Sequence, residues 1–159
     1  MSKDDYTKRI EDATPLQLTV INYELLLDNM EEARKAEARS VGSTLALDKA
    51  KECLAQLYAT LDMDIEFSKD LSDLYLYVNR ALIHAGMKRT NEEKNELLED
   101  ASGIVKGLLG AWQTLADDDG LLERLLGSEN QQIFAGLTYG KDGKLEEYQD
   151  IDPNRGYKA

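Results

Sequence analysis

The sequence predicts an all-α protein built on an antiparallel four-helix bundle, and three observations carry that expectation. Only two prolines, Pro15 and Pro153, occur in 159 residues, and proline is the one residue that strictly forbids a helix interior. The long interval between them is rich in Leu, Ala, Glu and Lys, which lose little on entering a helix. Within it four segments of similar length, joined by short links, repeat apolar residues at steps of three and four.

A cap segment is expected over 1–14, the bundle over 15–115, and a short helix with an irregular tail over 116–159. The first helix opens at Thr14-Pro15-Leu16-Gln17, where Thr14 caps the orphan amides, Pro15 fits the first helical position and Gln17 completes a capping box. Leu16, Val20, Tyr23, Leu27 and Met30 form its inner stripe, and it is placed over about 15–39, ended by Ser40-Val41-Gly42-Ser43. A second helix runs to about Asp62 with Leu47, Ala50, Leu54, Leu57 and Leu61 inward. Ser68 is expected to cap the third, which carries Leu71, Tyr75, Val78, Leu82 and Ala85 and stops at Gly86. Thr90 to Glu93 is a further capping box, opening a fourth helix with Leu97, Ala101, Ile104, Leu108, Ala111 and Leu115 inward. Past Leu115 the composition changes: residues 116–159 hold six of the eleven glycines and five bases against ten acids, 5 − 10 = −5. Leu121 to Leu126 suit one short extra helix, and Asp142-Gly143 suits a turn.

Charge and residue counts exclude several functions. Nineteen Lys and Arg against 31 Asp and Glu give 19 − 31 = −12, which repels phosphate backbones, so no nucleic-acid partner is expected. The lone Cys53 forbids an internal disulfide and suits a reducing compartment. The charged start MSKDDYTKRIED lacks the apolar run of a signal peptide, and nowhere do 18 apolar residues follow one another. A soluble, cytoplasmic protein without membrane insertion is the expectation.

Surplus apolar surface is the informative anomaly. At about 100° per residue, Leu18, Ile21 and Leu25 fall behind the first helix's inner stripe. Leu76, Ile83 and Met87 fall behind the third helix's stripe, with Arg80 between them. A bundle core buries one stripe per helix, so these six need another cover. Either the N-terminal segment and tail supply it, or a partner's amphipathic helices do. At roughly 1.5–3 kcal/mol per large side chain, they offer on the order of 10 kcal/mol of gross burial, against about 2–5 kcal/mol or more to order a disordered partner.

Several of these residues resemble one family. Tyr6, then Ala13-Thr14-Pro15 leading to Leu18 and Tyr23, is similar to the opening of the flagellin export chaperones, the FliS family. Leu57 with Leu61-Asp62 resembles the end of that family's second helix. Leu74-Tyr75-Leu76-Tyr77-Val78-Asn79-Arg80, followed by Leu82, Ile83, Ala85 and Lys88, resembles its signature third helix. Leu108 with Ala111-Trp112 matches its last long helix, so the resemblance spans roughly 6–115 in order. It implies a helical bundle that binds the disordered C-terminal region of flagellin, prevents premature polymerisation and supports delivery to an export-gate component. It also implies that the client wraps the bundle, that the N-terminal segment can occupy part of the client surface, and that Tyr6 contacts the client or the export gate. With the outer stripes, it gives the expected partner-binding set: Tyr6, Ile10, Leu18, Ile21, Leu25, Leu76, Tyr77, Arg80, Ile83 and Met87. Gly103, Gly107 and Gly110 depart from the family pattern, as does the tail. Close packing within the bundle is the first reading of Gly103 and Gly107, contact with client backbone the second; Trp112 reads as a core anchor.

The rival readings are weaker. A helical adaptor or regulator unrelated to flagella is the alternative. Histidine phosphotransfer at His84, with Lys88 one turn on, is a distant third, since His84 falls at a predicted helix end where a solvated imidazole meets the dipole favourably. A di-iron bundle needs two Glu-x-x-His pairs, and this chain has one histidine. Asp62-Met63-Asp64 and Asp117-Asp118-Asp119-Gly120 lack the spacing of a calcium loop. No enzyme activity, metal or cofactor is expected. In the tail, Ile133, Phe134, Leu137 and Tyr139 form the one dense apolar patch after Leu126, and the sequence allows them to dock on the bundle.

Overall fold

The computed structural model describes residues 3–64 and 66–117. Five helices follow one another: α1 (Lys3–Asp12), α2 (Pro15–Lys35), α3 (Val41–Ala59), α4 (Glu66–Met87) and α5 (Asn91–Asp117). Among the described residues there is no strand, as expected of an all-α chain. The N-terminal segment is itself helical. The short helix foreseen at 121–126 and the apolar patch at Ile133, Phe134, Leu137 and Tyr139 lie outside the described residues.

Local chemistry starts the helices where the capping residues place them. Thr14 Oγ1 accepts from the Gln17 N–H at 3.2 Å, and Gln17 Oε1 accepts from the Thr14 N–H at 2.9 Å. Thr90 Oγ1 accepts from the Glu93 N–H at 3.2 Å ahead of α5. Several expected boundaries need correction. α2 ends at Lys35 rather than near 39, and Ser40 to Ser43 open α3, with Ser40 Oγ accepting from the Ser43 N–H at 3.1 Å. α4 starts at Glu66, which leaves Ser68 fully buried inside the helix rather than capping it; Gly86 lies within its last turn, not beyond it.

Nothing in Ala36-Glu37-Ala38-Arg39 forbids a helix, so the early end of α2 has a tertiary cause. Lys94 of α5, fully buried, donates from Nζ to the carbonyls of Ala33 (2.6 Å), Arg34 (3.3 Å) and Ala36. Those oxygens belong to the helix end, where intrahelical donors run out and a cation is favoured. The chain then turns through Arg39, whose φ of 63° is left-handed and costs a non-glycine residue roughly 1–2 kcal/mol. The turn brings the Arg39 guanidinium onto the Met87 carbonyl, at 2.8 and 3.3 Å, at the end of α4. Asn91 Oδ1 accepts from the Ala38 N–H at 2.7 Å. The α2–α3 link therefore holds the end of α4, while the first turn of α5 holds the end of α2 and that link.

α2 packs against α3 and α5, and α4 packs against the same two, so α2 and α4 face each other across the core. Their inner stripes meet at Tyr23 and Tyr75, whose hydroxyls lie 2.5 Å apart, with the Trp112 ring centroid 6.3 Å from that of Tyr23. Burial pushes the Tyr23 phenol up to about 12 and raises Tyr75 further. The inner residues expected of α3 and α4 are buried as predicted. On α2, Leu16 and Leu27 are only half-buried while Leu26 and Ala33 are fully buried. On α5 the stripe is rotated by one residue. Lys94, Leu98, Ala101, Val105 and Trp112 point inward, whereas Leu97, Ile104, Leu108 and Leu115 sit half-buried at its edge and Ala111 is exposed. Cys53 packs half-buried beside the core, and burial raises its thiol above the ordinary range, as for an inert structural cysteine.

Candidate functional site

The two surplus stripes have different fates. On α2, the helix α1 lies over the outer face. Tyr6 Oη donates to Asp28 Oδ2 at 2.5 Å, Arg9 Nη2 donates to Glu24 Oε1 at 2.6 Å, and the Arg9 guanidinium lies 5.8 Å from the Tyr6 ring centroid. The pairing order, 6 with 28 and 9 with 24, runs α1 antiparallel to α2. Partial burial, the hydrogen bond to Asp28 and that carboxylate's charge all raise the Tyr6 phenol above its ordinary range. Ile21 is 3% exposed beside α1, as for the first of the two covers the sequence allowed. Leu18 and Leu25 are half-buried, and Ile10 of α1 stays exposed. Beside these, a cleft of about 650 Å³ with a mixed charged and apolar lining opens between α1, the start of α2 and the end of α5, with Arg9, Gln17, Ile21 and Asp117 among its residues.

On α4 the stripe is open among the described residues. Leu76 and Ile83 are each 42% exposed and Met87 61%, with Arg80 exposed between them. Leu76 continues into a groove of about 220 Å³ between α3 and α4, lined by Lys51, Leu54, Ala55, Tyr58, Tyr75 and Asn79. Its floor is core, Leu54 and Tyr75, and its rim is amphipathic, Tyr58 and Lys51. Such a trough takes an apolar helix face and leaves charge at the edge. Sequence reasoning missed the α3 wall. The signal was present: Lys51, Ala55 and Tyr58 recur at steps of four and three beside the inner stripe, and Tyr58 is an aromatic set off it.

Tyr77 does not join this surface. It points from α4's other flank and donates from Oη to Asp100 Oδ2 of α5 at 2.6 Å, a bond that raises its phenol. The structure thus brings Leu76 together with the α3 wall, keeps Ile83 and Met87 on the same flank, and sets Tyr77 apart. Gly103 and Gly107 depart from the expected close packing: a Cβ at either, as at Gly110, meets nothing within 4 Å, so they make no close helix contact in the bundle. His84 is exposed in the last turn of α4. Among the described residues, no cluster of three or more His, Cys, Asp or Glu side chains can hold a metal ion. No helix among them is long and apolar enough to cross a membrane.

The family model for the flagellar protein FliS matches residues 2–119. The chain belongs to the FliS family. That match covers α1 and the whole bundle, and it makes the protein a flagellar export chaperone of FliS type, from a chaperone family rather than an enzyme family. The helical architecture agrees with the helical bundle of the family. No curated protein and no solved structure matches the chain.

Proposed function

We propose that this FliS-family protein binds the disordered C-terminal region of flagellin in the cytosol, prevents its premature polymerisation and supports its delivery to the flagellar type III export apparatus. The observation that carries the reading is the open apolar flank of α4 and the groove it shares with α3. The floor there is preformed core, so the chaperone orders little of itself on binding. Leu76, Ile83 and Met87 supply apolar anchors, while Arg80 and Lys51 sit where a helix's polar flank passes. A client segment folding there as an amphipathic helix satisfies its own backbone and buries its apolar face.

α1 fits the same scheme on α2. Partly exposed polar contacts, Tyr6–Asp28 and Arg9–Glu24, join it to α2, and exposed ion pairs contribute at most about 1 kcal/mol each. A client helix with better apolar complementarity to Leu18, Ile21 and Leu25 displaces it, freeing Tyr6 and Ile10 for client or export-gate contact. Bundle (15–115), N-terminal segment (1–14) and tail (116–159) thereby take separate roles as platform, first cover and accessory segment.

Calorimetry with the C-terminal segment of the cognate flagellin tests the reading. The expected result is a stoichiometric complex with a markedly negative heat-capacity change. Absence of binding at tens of micromolar refutes it. An adaptor for an unrelated client would instead co-purify from the native cytosol with another chain and ignore flagellin.

A further inference from the structure

The α3–α4 groove has no cover among the described residues, whereas the outer face of α2 has α1. We infer that the chain carries its own competitor for this groove: Ile133, Phe134, Leu137 and Tyr139. The inference rests on the reading of the groove as a client site and adds a regulator to it.

Three observations support this occupant. Past Leu126 the sequence is polar and glycine-bearing, and Ile133-Phe134-Ala135-Gly136-Leu137-Thr138-Tyr139 is its one dense apolar run. That run suits a trough floored by Leu54 and Tyr75 and walled by Ala55 and Leu76. Next, residues 130–140 contain no Asp, Glu, Lys or Arg, so an acidic bundle does not repel them. Reach is also sufficient. α5 ends at Asp117, at the same end of the bundle as Tyr58, because α3 and α5 both run toward that end. From Asp117 to Ile133 is 133 − 117 = 16 residues, a reach of up to about 50 Å when extended and still about 40 Å with Leu121 to Leu126 helical. Even the whole of α3, 19 residues, is only about 28 Å long. A tether of this kind sets a local concentration on the order of millimolar, so weak contacts suffice to fill the groove for much of the time. Client then binds only the open fraction, and its apparent affinity falls by that factor.

The test compares the full chain with the full chain carrying Phe134→Ser and Leu137→Ser. Amide chemical shifts of Ala55, Tyr58, Leu76 and Asn79 are recorded without client, and binding of the flagellin C-terminal segment is measured at equal salt. The substitutions are expected to shift those amides independently of protein concentration and to tighten client binding about fivefold to tenfold, as for a groove occupied 80–90% of the time. Identical groove amides in the two proteins overturn the inference. So do shifts that grow with protein concentration, which assign the contact to a second copy, and so does a shifted groove with unchanged client affinity. If neither protein binds flagellin, the proposed function fails, and with it the competition, while the amide shifts still report whether the tail docks.

Discussion

Leu82 and Ile83 are neighbours on α4 with opposite environments, 0% and 42% exposed, and an aspartate at each position separates core from client surface. At Leu82 the substitution removes a fully buried side chain, about 2–5 kcal/mol with its cavity, and leaves a carboxylate without a partner, several kcal/mol more. That sum is comparable with the entire stability of a domain, about 5–15 kcal/mol, so Leu82→Asp unfolds the bundle. At Ile83 the side chain is little more than half shielded, and its loss costs about 1–2 kcal/mol, which leaves the fold standing. Covering its exposed remainder in a complex is worth about 1 kcal/mol, and a carboxylate forced under the client adds a desolvation penalty of about 1–3 kcal/mol. Ile83→Asp is therefore expected to weaken flagellin binding roughly 30- to 1,000-fold. Urea denaturation followed by circular dichroism and titration calorimetry on the same samples read both effects. If Ile83→Asp unfolds the chain as Leu82→Asp does, the outer stripe is core. If it folds and binds as the parent does, the client does not use this flank of α4.

Lys94→Met retains the stem but strips the carbonyls of Ala33, Arg34 and Ala36 of their shared donor; a loss of about 2–4 kcal/mol in urea denaturation is expected, and an unchanged midpoint shows that relief of the buried charge cancels those bonds. Gly103→Ala, Gly107→Ala and Gly110→Ala introduce a Cβ into open space, so each should stabilise α5 by up to about 1 kcal/mol, and a destabilised variant contradicts the open environment. Tyr23 and Tyr75 hold their protons in the fold above the ordinary tyrosine range. Above about pH 10 the unfolded chain has lost protons that the folded one keeps, and stability falls by about 1.4 kcal/mol per pH unit for each phenol. Tyr23→Phe should flatten that decline in denaturation midpoints taken from pH 9 to 11, and an equally steep decline assigns it to other groups. Burial depresses Lys94 instead, so its share runs the other way and stability gains as pH rises toward the unfolded lysine range.

The existence and order of the bundle helices, and the starts of α2 and α5, were legible because they depend on contacts within a few residues. Thr14 with Gln17 and Thr90 with Glu93 close capping bonds three residues apart, and the inner stripes of α3 and α4 follow from helical period alone. What tertiary structure decided involves partners far along the chain. α2 stops at Lys35 because Lys94, some sixty residues on, takes its terminal carbonyls, whereas Ala36 to Arg39 favour continuing. α5 is apolar over so wide an arc that period alone does not fix its centre; packing against α2 and α4 turned it to Leu98, Val105 and Trp112. Ile21 and Ile83 look alike in sequence, each behind an inner stripe. One is buried where α1 lies over α2, and the other stays open because nothing described lies over that flank of α4. Residues on α3 wall the groove beside Leu76, and that juxtaposition of Tyr58 with Leu76 exists only once two antiparallel helices have packed.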